Sequence, residues 1–183
     1  AKEAVGRITN PGTRVIDPST AHRTDDGWAY GLAELSPAHR EAIAASKRVS
    51  NPGCHATGFI TLAYPLVKEG LVEADYPFTA HSITGYSGAG RSVIDQYRDA
   101  ARPAHYAAPR QYALGQCHKH LPEMKKIAGL SHEPIFNPII CDFYAGMVVT
   151  VPVHSRLMKK PMGAKELPGF FQEYYAGQKL VRV

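Results

Sequence analysis

The residue best placed to do chemistry is Cys54, in the segment NPGCHATGF (51–59). It follows Pro52-Gly53 and begins a predicted helix, whose apolar side chains recur at helical spacing up to a capping glycine, Gly70. The dipole and free N–H groups at a helix N-terminus stabilise an anion, which favours a reactive thiolate. The same N–H groups could receive an oxyanion that develops on a substrate carbonyl. The alternative at this point is a buried structural cysteine.

The segment CHKHLPE (117–123) offers the acid/base groups that a thiol nucleophile needs, because histidine titrates near neutral pH. His120 and Glu123 are three residues apart, so on a helical turn the carboxylate could orient the imidazole. His118 is the second candidate. Cys117 and the two histidines could instead bind zinc, but the sequence has no second cluster with ligand spacing, and we expect no metal. A purely structural histidine pair also remains open.

The segment GYSGAGR (85–91) contains three glycines and ends in one cation. Glycines allow the backbone to approach a ligand closely, and Arg91 at the head of a predicted helix could bind a phosphate or carboxylate with two hydrogen bonds. The glycine spacing is not that of the dinucleotide-binding fingerprint. The alternative is a strand–helix turn with a solvated arginine.

A fourth polar segment, DPSTAHR (17–23), follows a short predicted strand. Ligands bind outside the carboxyl ends of strands in open α/β sheets, so Asp17, Ser19 and Arg23 are candidate ligand contacts. On local grounds the segment could equally be an ordinary loop.

Several predicted elements must position these residues. Helices are predicted over 37–46, from Cys54 to Gly70, and over 91–100, 122–128 and 164–175. Strands are predicted over 14–17, 48–50, 78–86, 135–141 and 147–154, with the start of another at 180–183. This mixture indicates an α+β fold, with a mixed or antiparallel sheet that is covered by helices.

The composition narrows the class of protein. The net charge is +5, but the basic residues are scattered and form no nucleic-acid-binding stripe. No apolar run reaches the roughly 18 residues that span a bilayer, and the first residues lack the apolar core of a secretory signal. Three distant cysteines indicate a reducing compartment rather than a disulfide framework. We therefore expect a cytoplasmic protein that binds an anionic small molecule, and neither nucleic acid nor a membrane.

Taken in order, six segments resemble the N-acetyl-gamma-glutamyl-phosphate reductases of the shorter bacterial type. They are RVIDPSTAHR (14–23), WAYGLAEL (28–35), NPGCHATGF (51–59), ITGYSGAGR (83–91), HKHLPEM (118–124) and YAGMVVTVPV (144–153). The resemblance implies NADPH-dependent reduction of the acyl phosphate to a semialdehyde, with phosphate release, in arginine biosynthesis. It also implies a catalytic domain like that of glyceraldehyde-3-phosphate dehydrogenase, attached to a Rossmann domain, in a homo-oligomer (dimer or tetramer).

The resemblance also implies roles for particular residues. Cys54 matches the catalytic cysteine, His120 would be the acid/base with His118 less favoured, and Glu123 would orient the imidazole. The implied substrate contacts are Arg91, Ser87, Gly88 and Asn51. The implied cofactor contacts are Ser19, Gly90, Asp17 and Arg23.

This sequence departs from the family at both ends. A glycine-rich cofactor loop is not found before Arg14, and the family's glycine-rich C-terminal helix is not found either. We therefore expect residues 1–50 to be the end of an NADP-binding Rossmann domain, residues 51–183 to be most of a catalytic domain, and the chain alone to be inactive. The alternatives are an acyl-phosphate reductase of lysine biosynthesis, a cysteine acyltransferase or hydrolase, and a catalytically silent domain.

Overall fold

A computed structural model describes all 183 residues. The helices are α1 (Lys2–Gly6), α2 (Pro37–Ala45), α3 (Cys54–Lys68), α4 (Arg91–Arg98), α5 (Leu121–Ala128) and α6 (Leu167–Tyr174). The strands are β1 (Val15–Asp17), β2 (Ala29–Tyr30), β3 (Arg48–Ser50), β4 (Thr79–Gly85), β5 (Arg110–Gln111), β6 (Ile135–Cys141) and β7 (Met147–Thr150). None of these helices is both long and apolar enough to cross a membrane.

The first 50 residues form a small parallel sheet with strand order β1-β3-β2. Helix α2 connects β2 to β3, as a parallel pair requires. The predicted start of α2 is confirmed: the Ser36 hydroxyl accepts a hydrogen bond from the His39 N–H, and Pro37 occupies the first turn. The two-residue strand β2 was not predicted, because so short a strand has no periodicity of its own.

The rest of the chain forms a second sheet with strand order β5-β6-β4-β7. Strands β4 and β6 are parallel, and the two outer pairs are antiparallel, so the predicted mixed sheet is confirmed. The bounds of β6 are those predicted. Strand β7 ends at Thr150 rather than at 154, because Pro152 has no backbone N–H to donate to a neighbouring strand.

Helices α3 and α5 pack on one face of the second sheet and form most of the core. The apolar stripe of α3 is buried as its spacing predicted, and Gly70 just beyond it has a left-handed φ of 67°. Gly129 ends α5 in the same conformation, as expected from its position. The largest buried apolar side chains of this core are Phe59, Ile60, Leu66, Leu121, Met124 and Phe136.

Helices α3 and α5 cover one face of the second sheet, as the prediction of a mixed sheet covered by helices requires, and apolar side chains on the opposite face are exposed. Side chains of β4 alternate, so Ala80, Ser82 and Thr84 face the core whereas Ile83 faces outward. Ile83 lies opposite Val148 of β7. Ile83 is 39% exposed and Val148 is 62% exposed. Helices α3 and α5 lie on the same side of the sheet, so neither covers this apolar face.

The C-terminal residues differ from the prediction. Helix α6 begins at Leu167 rather than at 164, with Pro168 in its first turn. Residues 180–183 form no strand, and Leu180 is exposed. An apolar run predicts a strand only where a neighbouring strand edge can pair with it, and here none does.

Candidate active site

Cys54 is the first residue of α3 and opens onto a cleft with a volume of about 490 Å³. Gly53 is the N-cap residue, so the thiol lies beside the unpaired N–H groups of the first helical turn. The cleft is lined by Arg23, Gly53, Cys54, His55, Gly88, Ala89, Tyr112, Ala113, Cys117, His118, Lys119 and His120. Two cations and no carboxylate lie in this lining, so the cleft suits an anionic ligand.

The imidazole of His120 packs directly against the turn that carries Cys54. A Cβ atom added to Gly53 would lie 2.4 Å from Nε2 of His120 and 2.6 Å from Nη1 of Arg23. Only glycine therefore lets these two side chains approach the backbone before Cys54 so closely. The structure brings together Cys54, His120 and His118, which the sequence analysis had named as the nucleophile and acid/base candidates.

Three histidines are clustered behind the thiol. The ring centroids of His118 and His120 are 4.7 Å apart, and those of His55 lie 5.7 Å and 5.6 Å from them. Burial, with the neighbouring imidazoles, lowers the pKa of His120 to about 3. Burial likewise lowers the pKa of His55 to about 4, and it lowers the pKa of His118. The three rings are therefore neutral near pH 7, and each has one donor nitrogen and one acceptor nitrogen.

Glu123 does not orient the imidazole of His120, and that predicted contact is corrected. Its carboxylate is buried and accepts hydrogen bonds from the Gly53 N–H (2.7 Å), the Tyr30 hydroxyl (2.7 Å) and Nη1 of Arg23 (3.3 Å). Nδ1 of His120 is buried and has no hydrogen-bond partner. A buried carboxylate needs strong donors, and the cation and the free backbone N–H satisfy it better than a neutral ring does.

Arg23 forms one wall of the cleft, and each of its three guanidinium nitrogens donates a hydrogen bond within the protein. Nε donates to the Asn51 carbonyl (2.9 Å), and Nη2 donates to the Pro18 carbonyl (3.1 Å). Together with the pairing to Glu123, these bonds connect the loop after β1 to the turn before Cys54. The Asn51 side chain, a predicted substrate contact, is outside the cleft lining and donates to the Pro52 carbonyl.

The two other candidates from the first polar segment are engaged within that segment. The Asp17 carboxylate accepts hydrogen bonds from the Ser19 N–H (2.9 Å) and the Ser19 hydroxyl (2.8 Å). The Ser19 hydroxyl oxygen in turn accepts from the Ala21 N–H. Neither side chain lines the cleft, because the loop satisfies its own polar groups.

The glycine-rich segment contributes backbone rather than charge to the cleft. Gly88 lies in the cleft wall, whereas Ser87 and Gly90 do not. The Arg91 side chain is 87% exposed and pairs with Asp95 one turn further along α4, at 3.0 Å. The structure therefore places the predicted anion-binding arginine on the surface, outside the cleft.

Three polar residues of the cleft were not predicted: His55, Tyr112 and Lys119. His55 and Lys119 adjoin named candidates in sequence, so adjacency was the only available signal. Tyr112 follows the two-residue strand β5, for which no strand is predicted, and it reaches the cleft beside the pairing of β5 with β6. No group of three or more His, Cys, Asp or Glu side chains has an arrangement that could hold a metal ion.

Curated relatives match the chain along its whole length. It is 44% identical over 185 residues to N-acetyl-gamma-glutamyl-phosphate reductase 2 of Pseudomonas putida, covering 100% of this chain and 58% of the relative. It is 46% identical over 180 residues to the N-acetyl-gamma-glutamyl-phosphate reductase of Mesorhizobium japonicum, covering 98% and 58%. The chain thus spans somewhat more than half the length of these relatives.

Solved structures and a family model agree on the fold. Aspartate semialdehyde dehydrogenase II from Vibrio cholerae aligns with a TM-score of 0.68 and 17% identity, covering 88% of this chain and 53% of that one. A second structure of that enzyme, complexed with ASA, aligns with a TM-score of 0.63 and 15% identity, covering 85% and 52%. The model described as "Semialdehyde dehydrogenase, dimerisation domain" matches residues 54–183, starting at Cys54 itself. The chain therefore belongs to the semialdehyde dehydrogenase family and carries its dimerisation domain.

Proposed function

We propose that the protein containing this chain reduces N-acetyl-gamma-glutamyl phosphate to the semialdehyde with NADPH and releases phosphate. The observation that carries the proposal is the exposed thiol of Cys54, at a helix N-terminus, in a cleft lined by cations and histidines. The names of the full-length relatives support the choice of acyl phosphate. The three unpaired cysteines are consistent with a reducing cytoplasm.

Cys54 is the nucleophile in this proposal. Its thiolate attacks the acyl carbon, a C–S bond forms, the C–O bond to phosphate breaks, and phosphate leaves with the bonding electrons. The N–H groups at the start of α3 are placed to receive the negative charge on the carbonyl oxygen. Arg23 and Lys119 add positive charge to the cleft wall, which favours the entry of an acyl phosphate.

His120 is the acid/base group in this proposal. Its Nε2 lies against the Gly53–Cys54 turn, so it is the imidazole nitrogen best placed to exchange a proton with the sulfur or the substrate oxygen. His118 lies behind it, and its Nδ1 accepts a hydrogen bond from the His120 N–H at 3.2 Å. That bond holds the backbone of His120 and makes His118 the less favoured candidate.

In this proposal the cleft receives the nicotinamide end of a dinucleotide. It opens near the carboxyl ends of the parallel strands β1 and β3. At that end Asn51 directly follows β3, and the Asn51 N–H donates to the carbonyl of Asp17, the last residue of β1. Ligands of doubly wound folds bind at such an edge. The small residues Gly88 and Ala89 would border the ring, and they leave its approach free of bulky side chains. When bound, the nicotinamide would supply the hydride that reduces the thioester.

The division of the chain and its assembly are also part of the proposal. Residues 1–50, with their parallel sheet, would be the end of the cofactor domain, and residues 51–183 would be the catalytic and dimerisation domain. The boundary is supported by the family match, which begins at residue 54. The uncovered apolar sheet face at Ile83 and Val148 would pack against a second copy of the chain.

The proposal is tested in the complete protein by changing Cys54→Ala, with Cys141→Ala as a matched control. We expect Cys54→Ala to lower acyl-phosphate-dependent NADPH oxidation by about three orders of magnitude or more, as for other nucleophiles. The control should retain activity, because Cys141 lies outside the cleft. Phosphate release without NADPH oxidation would indicate a hydrolase or acyltransferase instead. A preference for an acyl phosphate of lysine biosynthesis would identify the related reductase.

A further inference from the structure

Three polar side chains form a hydrogen-bonded chain behind the nucleophile, and the proposed mechanism uses none of them. The hydroxyl of Ser82, a core-facing residue of β4, lies 2.6 Å from Nδ1 of His55. Nε2 of His55 lies 2.9 Å from the hydroxyl of Tyr112. His55 directly follows Cys54 in α3, and Tyr112 lines the same cleft as the thiol. The chain therefore runs from the buried sheet to the reactive surface.

The burial of Ser82 fixes the direction of these hydrogen bonds. Ser82 is fully buried, and its hydroxyl has no hydrogen-bond partner other than His55. If Nδ1 of His55 carried the proton, the Ser82 hydroxyl hydrogen would be buried without an acceptor, which is unfavourable. Ser82 therefore donates to Nδ1, and the neutral ring carries its proton on Nε2. That proton is donated to the Tyr112 oxygen.

The Tyr112 hydroxyl hydrogen is therefore available to donate to an acceptor in the cleft. Its oxygen already accepts from His55, and no protein acceptor hydrogen-bonds with it. Burial raises the pKa of Tyr112 to about 12, with a further contribution from negative charge on Cys54. The phenol is therefore protonated near pH 7, and it lines the same cleft as the sulfur.

We propose that Ser82, His55 and Tyr112 hold the phenolic O–H as a hydrogen-bond donor to the Cys54 thiolate. The assignment deepens the proposed function, because it takes Cys54 as the nucleophile. In this proposal Tyr112, which lines the cleft that holds Cys54, is a further catalytic residue, and His55 and Ser82 are positioning residues. The other ionisable groups in the cleft lining are Arg23, Cys117, His118, Lys119 and His120. They stay in place when Tyr112 or Ser82 is changed, so a difference between variants reports on the hydrogen-bonded chain.

The first test measures the protonation of His55 in the complete protein by ¹H–¹⁵N NMR of labelled imidazoles. We expect a neutral ring with its proton on Nε2 at pH 7. A ring with its proton on Nδ1, or a charged ring, would overturn the proposal. The measurement does not depend on any substrate, so it stands apart from the test of the reductase activity.

The second test measures the rate of iodoacetamide reaction with Cys54 against pH in the complete protein. In Tyr112→Phe we expect the pH midpoint to rise by about one unit, the size of one hydrogen bond to a charged atom. Ser82→Ala removes the preference for one His55 tautomer, so the midpoint should rise by a smaller amount. Ser82→Ala also leaves the cleft wall intact and serves if Tyr112→Phe does not fold.

Tyr106→Phe is the matched control, because the Tyr106 hydroxyl bonds with Gln96 outside the cleft. Its midpoint should equal that of the wild type. Unchanged midpoints in Tyr112→Phe and Ser82→Ala would overturn the proposal. A protein that shows the expected shifts but does not reduce the acyl phosphate would contradict the proposed function and leave this assignment supported.

Discussion

The buried carboxylate of Glu123 gives the sharpest test of how the site is held together. The substitution Glu123→Gln keeps the shape of the side chain but removes its charge. Glu123 is 1% exposed, and its partner Arg23 is 9% exposed. The amide nitrogen of glutamine would have to face at least one of three donors: the Gly53 N–H, the Tyr30 hydroxyl and the Arg23 guanidinium. Two donors would then oppose each other in the interior, and a buried guanidinium would lose its counter-charge.

The expected cost is about 3–5 kcal/mol of unfolding free energy, the range for breaking one partner of a buried ion pair. Urea unfolding of the complete protein, followed by tryptophan fluorescence and circular dichroism, measures it. Glu133→Gln is the control, because Glu133 is exposed and makes no ion pair or side-chain hydrogen bond. That variant should stay within about 0.5 kcal/mol of the wild type. A loss below about 1 kcal/mol in Glu123→Gln would refute the argument that this carboxylate ties the nucleophile turn to Arg23.

Three further predictions follow from the same contacts. Gly53→Ala would place a Cβ 2.4 Å from Nε2 of His120, so steady-state assays should show at least about a 100-fold loss of reductase activity. The control is Gly115→Ala, which should be active because there is open space around Gly115. The pKa of His120 is about 3 in the folded chain and near 6.5 in an unfolded one, so the unfolded state binds more protons below pH 6.5. The free energy of unfolding should therefore fall as the pH is lowered from 6.5 to 4. The fall should be less steep in His120→Gln than in the wild type, and equal slopes in the two proteins would contradict this. Val148 lies on the uncovered sheet face that is proposed to form the dimer, so Val148→Lys should raise the dimer dissociation constant measured by sedimentation at least about tenfold. The control Leu114→Lys, on an exposed loop, should leave that constant unchanged.

Much of the fold followed from local patterns in the sequence. The apolar spacing after Cys54 predicted α3, and Ser36-Pro37 predicted the start of α2. The glycines that end α3 and α5 were also expected. These features depend on neighbouring residues alone, which is why the sequence was sufficient. The uncovered sheet face was not predictable, because it depends on which side of the sheet each helix crosses.

The site could be predicted only where its residues adjoin the nucleophile or one another. Cys54, His118 and His120 were predicted from chemical type and spacing, and the structure brings them into one cleft. The partners of Glu123 were missed, because Arg23 is 100 residues away and Tyr30 is 93 residues away along the chain. Arg91 was assigned to the ligand by its helix-terminal position, but Asp95 one turn further along pairs with it at the surface.

In the proposed function, Cys54 forms the covalent intermediate of an acyl-phosphate reductase. The direct measurement mixes the complete protein with N-acetyl-gamma-glutamyl phosphate in the absence of NADPH, then quantifies phosphate and maps modified peptides by mass spectrometry. We predict about one phosphate released rapidly per active site and an acyl thioester on the peptide that contains Cys54. An acyl group on Cys117 instead, or no phosphate burst from a protein that reduces the acyl phosphate when NADPH is present, would contradict the account.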